Sequence, residues 1–296
     1  MRRLLGSCLW FVLLPAVSAS ADQANHPVTM WQINGDHNRV YLLGSVHLLR
    51  AADHPLPAII DSVYKDAELI IMEMDVDDVD PIEAQKLVTE LGLIKDDRSL
   101  SDLMGPNLYA EAEAFAANVD IPLAMLASSE PWLAAVTVEQ LMLTRIGFNP
   151  KFGIENYLAS KAATDRKEII GLETVRQQLE FLDHMTLDAQ RSLLLQSLKE
   201  SNEIATIMDE LVHAWRYGDL DFLEREMLAE MRGYPELYKT IVVDRNRKWV
   251  DKIDTRLSDK DDYLVVVGAL HLIGDEGVPG LLAERGHEVV QMHQSE

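Results

Sequence analysis

Residues 263–273 read YLVVVGALHLI, and residues 39–49 read RVYLLGSVHLL. Each is a short run of aliphatic and β-branched residues closed by a glycine, with a histidine three positions further on: Gly44 and His47, Gly268 and His271. Runs that are apolar at almost every position, rather than at alternate ones, are expected of strands buried on both faces of a sheet covered by helices. A glycine-x-x-histidine step at the exit of such a strand aims an imidazole into the crevice beyond the sheet. Two copies predict an α/β protein with a paired-histidine site.

Further strand-like runs occur at Met30 to Ile33, Leu69 to Met74, Leu123 to Leu126, Glu168 to Leu172 and Glu288 to Met292. The cluster Asn34-Gly35-Asp36-His37-Asn38 separates the run 30–33 from the run 40–44 and reads as a hairpin turn. Between the other runs lie helical patterns, including 100–117 and 131–145. From about 174 to 258 apolar residues recur at three- and four-residue spacing with no strand signal, which predicts a helical insertion or cap. The expected architecture is a mixed, largely parallel central sheet flanked by helices, one domain over 22–296, with a cleft between sheet and cap as the natural place for a substrate.

The first 21 residues are read apart from the fold. Arg2 and Arg3 precede an apolar stretch from Leu4 to Val17, and Ala19-Ser20-Ala21 has the small-x-small form of a signal-peptidase site. Export is therefore expected, most simply to a bacterial periplasm. The only cysteine, Cys8, falls inside this leader. A mature chain without cysteine has neither disulfides nor a thiol nucleophile. No later apolar run approaches the ~20 residues a membrane span requires. Lys and Arg total 27 against 49 Asp and Glu, a net of -22. Such a charge argues against nucleic acid and anionic polymers as partners.

The ends of the strand-like runs carry the chemistry. LIIMEMD (69–75) places Glu73 and Asp75 at the end of one run, and EIIGLET (168–174) places Glu173 at the end of another. In open α/β sheets ligands bind beyond the carboxyl ends of the strands. If these runs are parallel neighbours, His47, Glu73, Glu173 and His271 converge. Two imidazoles with one or two carboxylates suit a divalent first-row cation such as Mn, Co or Zn, with positions left for water. That predicts His47, His271 and at least one of the two glutamates around a shared point, each about 2.0–2.2 Å from it. The HExxH signature of many zinc peptidases is absent. Ser45 adjoins the first motif but lies in no G-x-S-x-G elbow. His54, in Asp53-His54-Pro55, reads as a turn residue or as one that orients a ligand.

Taken together, GSVH, GALH, the intervening EMD, the segment GIENYLASKAATDRKEIIGLETVRQQ (153–178) and DRNRKW (244–249) resemble the TraB/GumN family of bacteria and its animal relatives, the Tiki proteins. The resemblance runs from Trp31 to about Met292. It implies a fold of the erythromycin-esterase-like and haem-binding ChaN-like group, and a divalent-metal-dependent peptidase activity like that ascribed to Tiki proteins. It implies His47 and His271 as metal ligands and Glu73 as ligand or general base. Arg245 matches the family's late arginine and Glu173 its central glutamate. Glu155, in GIEN, sits where many bacterial members carry Asp or Glu, in contact with substrate or behind a ligand, and Asp75 is assigned to the same surroundings. Gly44 and Gly268 are expected to be structural.

The mechanism so implied has a cation-activated water, Glu73 or Glu173 taking its proton, and Arg245 facing the developing oxyanion. The substrate would be a peptide or small molecule. A protein that binds and sequesters its ligand in the same cleft without turnover is the alternative.

Overall fold

The structure, a computed structural model, describes residues 25–75, 79–199 and 204–295. The leader expected at 1–21 lies outside the described residues. Six strands, β1 (Asn25–Asn34), β2 (Arg39–Ser45), β3 (Leu69–Met74), β4 (Ile169–Glu173), β5 (Tyr263–Gly268) and β6 (Val289–Ser295), form one sheet in the order β4-β3-β5-β2-β1-β6. The neighbours β4/β3, β3/β5 and β5/β2 are parallel, whereas β1 runs antiparallel to both β2 and β6. The β1–β2 pair is the predicted hairpin across 34–39. The result is the expected α/β fold with a mixed, largely parallel sheet.

The helices are α1 (Ala58–Asp66), α2 (Pro81–Gly92), α3 (Leu100–Met104), α4 (Pro106–Asn118), α5 (Pro131–Arg145), α6 (Ile154–Asp165), α7 (Val175–Asp183), α8 (Leu187–Lys199), α9 (Ile204–Tyr217), α10 (Leu220–Leu223), α11 (Ala229–Arg232), α12 (Pro235–Tyr238), α13 (Asp244–Arg256) and α14 (Val278–Glu284). Among the described residues, none is long and apolar enough to cross a membrane.

Alternation along the strands divides the core in two. Leu43, Met72, Leu264 and Val266 face one side with α1, α6 and α9, where Ile60, Leu158 and Trp215 meet them. Leu42, Ile71, Val265 and Val267 face the other with Trp249, Val250 and Ile253 of α13 and Leu282 of α14. Each such buried aliphatic side chain contributes about 1.5–3 kcal/mol, and β5, buried along its whole length, is the axis of both halves.

The helical stretch 174–258 divides between sheet and cap. Its α9 and α13 pack on opposite faces of the sheet. Its α8 joins α3, α4 and α5 in a separate helical core around Ala134, Val138, Leu194 and Leu198. One strand expectation is corrected: 123–126 forms a single 3-10 turn (Leu123–Leu126), not a strand. Leu123 and Leu126 are buried among helical residues such as Ala112, Ala134 and Leu194, so a four-residue apolar run there satisfies its burial without a sheet.

Candidate active site

The sheet order sets Glu173, Glu73, His271 and His47 side by side, because β4, β3, β5 and β2 are successive parallel neighbours. Glu73 is the last residue but one of β3 and Glu173 the last of β4, His47 follows β2 by two residues, and His271 sits on a 3-10 turn (Ala269–Leu272) directly after β5. Helix α13 lies beneath these ends. Its buried face carries Arg245 and Trp249, one helical turn apart, with Asn246 beside them.

Arg245 is the hub. Its Nη2 donates to Glu73 Oε2 at 2.7 Å and to Glu173 Oε2 at 2.9 Å, and its Nε to both Glu173 oxygens at 3.2 and 3.1 Å. Its Nη1 lies 3.2 Å from His271 Nε2. Trp249 Nε1 donates to Glu173 Oε1 at 2.9 Å, and Gln178 Nε2 to Glu73 Oε2 at 3.1 Å. The other Glu73 oxygen accepts the Gly268 N–H at 2.8 Å. His271 Nδ1 donates to Asn246 Oδ1 at 2.7 Å, which leaves the Nε2 lone pair for the guanidinium.

His47 stands on the open side of the cluster. Its Nδ1 donates to Glu155 Oε1 at 2.7 Å, and Ser45 Oγ donates to the same oxygen. Glu155 thus sits behind His47, and the Ser45 hydroxyl is spent on Glu155.

Electrostatics separate the two imidazoles. The Glu155 carboxylate raises the His47 pKa to about 9 against the opposing effect of burial, with Glu73 adding to the rise. Burial, aided by the charges of Arg245 and His47 and opposed by that of Glu73, lowers the His271 pKa to about 3. Burial opposes ionisation of Glu73, yet the positive charge His271 would carry, that of Arg245 and His47, and the Gly268 N–H hold its carboxyl down to about 2. At neutral pH one imidazole is therefore charged, the other neutral, and Glu73 ionised.

A raised histidine pKa fixes the sign of a pH effect. Pairing with Glu155 stabilises the fold fully below the ordinary histidine value of 6.5, and the contribution is lost as pH rises through about 9. In metal-free protein the His47 ring protons are expected to titrate near 9, and in Glu155→Gln near or below 6.5, when followed by NMR. Titration of wild-type His47 at 6.5 would contradict the pairing.

Two glycines have distinct spatial reasons. A Cβ on Gly44 would come within 2.6 Å of Thr29 Cγ2 and 3.2 Å of Ala269 Cα, so this glycine lets β2 lie against its neighbours. A Cβ on Gly268 would lie 3.2 Å from His47 Nε2, 3.3 Å from Glu73 Oε1 and 3.7 Å from His271 Cδ2. Gly268 therefore keeps open a notch onto which these three groups look.

That notch tests the fit of a divalent cation. Its donors, two imidazoles and a carboxylate, suit a first-row metal in kind. As placed, Arg245 takes the His271 lone pair, and no three His, Cys, Asp or Glu side chains among the described residues form a ready cage. The donor chemistry fits, and the Arg245–His271 contact is the one that would have to open.

One expected residue stands apart: His54 Nε2 bonds the Phe152 carbonyl at 2.9 Å, away from the cluster. Asp75 follows the last residue of β3. Asn246, Trp249 and Gln178 were not singled out from the sequence. Their signal was present in the polar residues on the α13 face that carries Arg245 and in the glutamines after Glu173.

The polar cluster opens into a cleft on both sides. One chamber, of about 340 Å³, is walled by apolar side chains such as Leu143, Met208, Leu211, Trp215, Met227 and Leu270. A second of similar size has Val136, Leu179, Phe181, Leu182 and Leu193 in its wall. His47, Glu73, Ile241 and Arg245 border both chambers.

A sequence model of the TraB/PrgY/gumN family matches residues 29–291. Among curated proteins, the chain is similar to the protein described as uncharacterized protein YbaP of Escherichia coli (strain K12), at 23% identity over 242 residues, 82% of this chain and 87% of that one. The protein of the same description from Shigella flexneri matches to the same extent. No solved structure matches.

Proposed function

The chain belongs to the TraB/PrgY/gumN family, and from that premise we propose that it is a metal-dependent hydrolase acting on peptides. One observation carries this reading: four parallel strand ends bring two histidines and two glutamates to one end of the sheet, around a buried arginine and between two substrate-sized chambers. An exported, periplasmic setting goes with it and rests on the leader-like residues 1–21 alone.

His47, Glu73 and His271 would hold the cation, which when bound would supply an acidified water and a polarised carbonyl. Glu155 and Asn246 each engage the Nδ1 of one imidazole, leaving Nε2 as the nitrogen offered to the notch. In metal-free protein His47 carries a proton on Nε2, so cation binding releases that proton and strengthens as pH rises towards about 9. Glu73, ionised at neutral pH, orients the attacking water through its cleft-facing carboxylate. Arg245 keeps a fixed positive charge beside the point where the carbonyl oxygen becomes negative, a stabilisation worth about 10²–10³ in rate where such donors have been removed from hydrolases. Glu173, with its oxygens bound to Arg245 and Trp249, positions Arg245.

A second reading, stoichiometric ligand binding without turnover, is favoured by the closure of the network: every guanidinium nitrogen already has a partner. The two readings part in one experiment. Adding Mn, Co or Zn to chelator-treated protein is expected to raise its melting temperature, since a ligand of the folded state alone stabilises it, and to switch on cleavage of a peptide library followed by mass spectrometry. Tight peptide binding with no product at any metal concentration would establish the second reading instead.

A further inference from the structure

The second chamber holds a carboxylate that the hydrolytic centre does not use. Glu139 lies on α5, one residue past the buried Val138, and its side chain is open to the cleft. Ser197 Oγ of α8 donates to Glu139 Oε1 at 2.7 Å. The cationic groups that border the chamber, His47 and Arg245, are engaged by Glu155 and by Glu73 and Glu173. The surrounding protein desolvates it and raises its pKa, with only the Ser197 hydroxyl opposing. Around it stand Ala135, Val136, Leu179, Phe181, Leu182 and Leu193.

Glu139 is exposed to the cleft, so it meets an entering ligand with one oxygen tied to the Ser197 hydroxyl and its charge not already paired. The opposite chamber carries no such group beyond the shared centre; its walls are aliphatic, Met and Trp side chains. The cleft is thus polarised, anionic on one side of His47 and Glu73 and apolar on the other. The net charge of -22 would add long-range attraction for cationic ligands.

We propose that Glu139 is the specificity residue of this cleft, binding a cationic amine of a peptide substrate on one side of the reacting bond while the apolar chamber takes an aliphatic or aromatic side chain on the other. The proposal rests on the hydrolytic reading for its substrate class but concerns binding alone. The cation has two possible sources of the same chemistry, the free α-ammonium of a peptide or the side chain of a Lys or Arg residue. Ser197 holds one carboxylate oxygen and leaves the other for the incoming N–H, a charge-assisted bond.

The test is equilibrium binding by calorimetry, on wild-type protein, Glu139→Gln and Glu139→Asp. The probes are four short peptides of one apolar sequence: free N-terminus, acetylated N-terminus, acetylated with one Lys, and acetylated with Gln in place of that Lys. Wild type is expected to bind one of the cationic peptides at least about tenfold more tightly than its neutral counterpart, and the peptide preferred identifies the source of the amine. Glu139→Gln keeps the shape and the Ser197 contact and is expected to abolish the preference without weakening neutral peptides. Glu139→Asp is expected to retain part of it. Equal binding of all four by wild type, or a preference that survives Glu139→Gln, overturns the proposal. No binding of any peptide overturns both it and the peptidase reading. Selective binding without product upholds Glu139 while removing the hydrolytic reading.

Discussion

Replacing Arg245 with Ala is expected to destabilise the protein by about 3–5 kcal/mol, the usual cost of removing one partner from a buried ion cluster. Arg245 is only 8% exposed, and among the described residues its guanidinium is the sole cation bonded to both Glu73 and Glu173. Without it two carboxylates face each other in the interior, left with the Trp249, Gln178 and Gly268 donors. Protonating the carboxylates relieves that repulsion, so the deficit should shrink as the pH is lowered. The wild type behaves oppositely. The Glu73 pKa is held at about 2, below its ordinary 4.5, so its contribution is fully present above about pH 4.5 and is lost as pH falls towards 2. Denaturant unfolding of both proteins across this range reads the sign directly. Arg245→Met combined with Glu73→Gln and Glu173→Gln should recover most of the loss, because no buried charge then lacks a partner. If Arg245→Ala alone unfolds at the wild-type midpoint, the cluster is not the electrostatic keystone described here.

His47→Ala is expected to lower peptide hydrolysis by about 10²–10⁴-fold, the range for removing a group that handles the transferred proton or its activator, while costing the fold only the His47–Glu155 pairing, a loss that fades as pH rises towards about 9. The side chain is 56% exposed to the cleft and makes one hydrogen bond. It has little packing to lose and the notch over Gly268 to vacate. Glu155→Gln, which retains a hydrogen-bond acceptor for Nδ1 but not the charge, should produce a smaller loss and a shifted pH profile. His47→Ala at full activity, measured with metal present, would falsify the hydrolytic centre proposed here. The same variant losing activity because it no longer folds would show as an altered melting temperature, which separates the cases.

The two results differ in kind because the residues do. Arg245 is buried and many-bonded, so its loss is felt first by the fold. His47 is open and singly tethered, so its loss is felt by chemistry.

Much of the fold was legible in the chain because strand signals are local. The aliphatic run Tyr263–Gly268 is a strand in the sequence and in the structure, since an uninterrupted apolar run of that length has to be covered on both faces. The run at 123–126 misled for a related reason. Four apolar residues satisfy a buried 3-10 turn as well as a strand, and what lies beside them decides between the two. In the helical stretch 174–258, spacing revealed helices but not that α13 would lie under the strand ends while α8 joined the cap.

The sequence alone determined which residue types stand at the strand exits: His47, Glu73, Glu173 and His271, with the glycines that make room for them. These follow from backbone preference and burial over a few neighbouring positions. Only the tertiary structure decided that β4, β3, β5 and β2 are adjacent, that Glu155 backs His47 from 108 residues away, that Arg245 spans Glu73 and Glu173, and that Glu139 faces the same cleft. Contacts between residues so distant in the chain are fixed by how two apolar faces of one sheet are covered at once, a property of the whole molecule that no short stretch encodes.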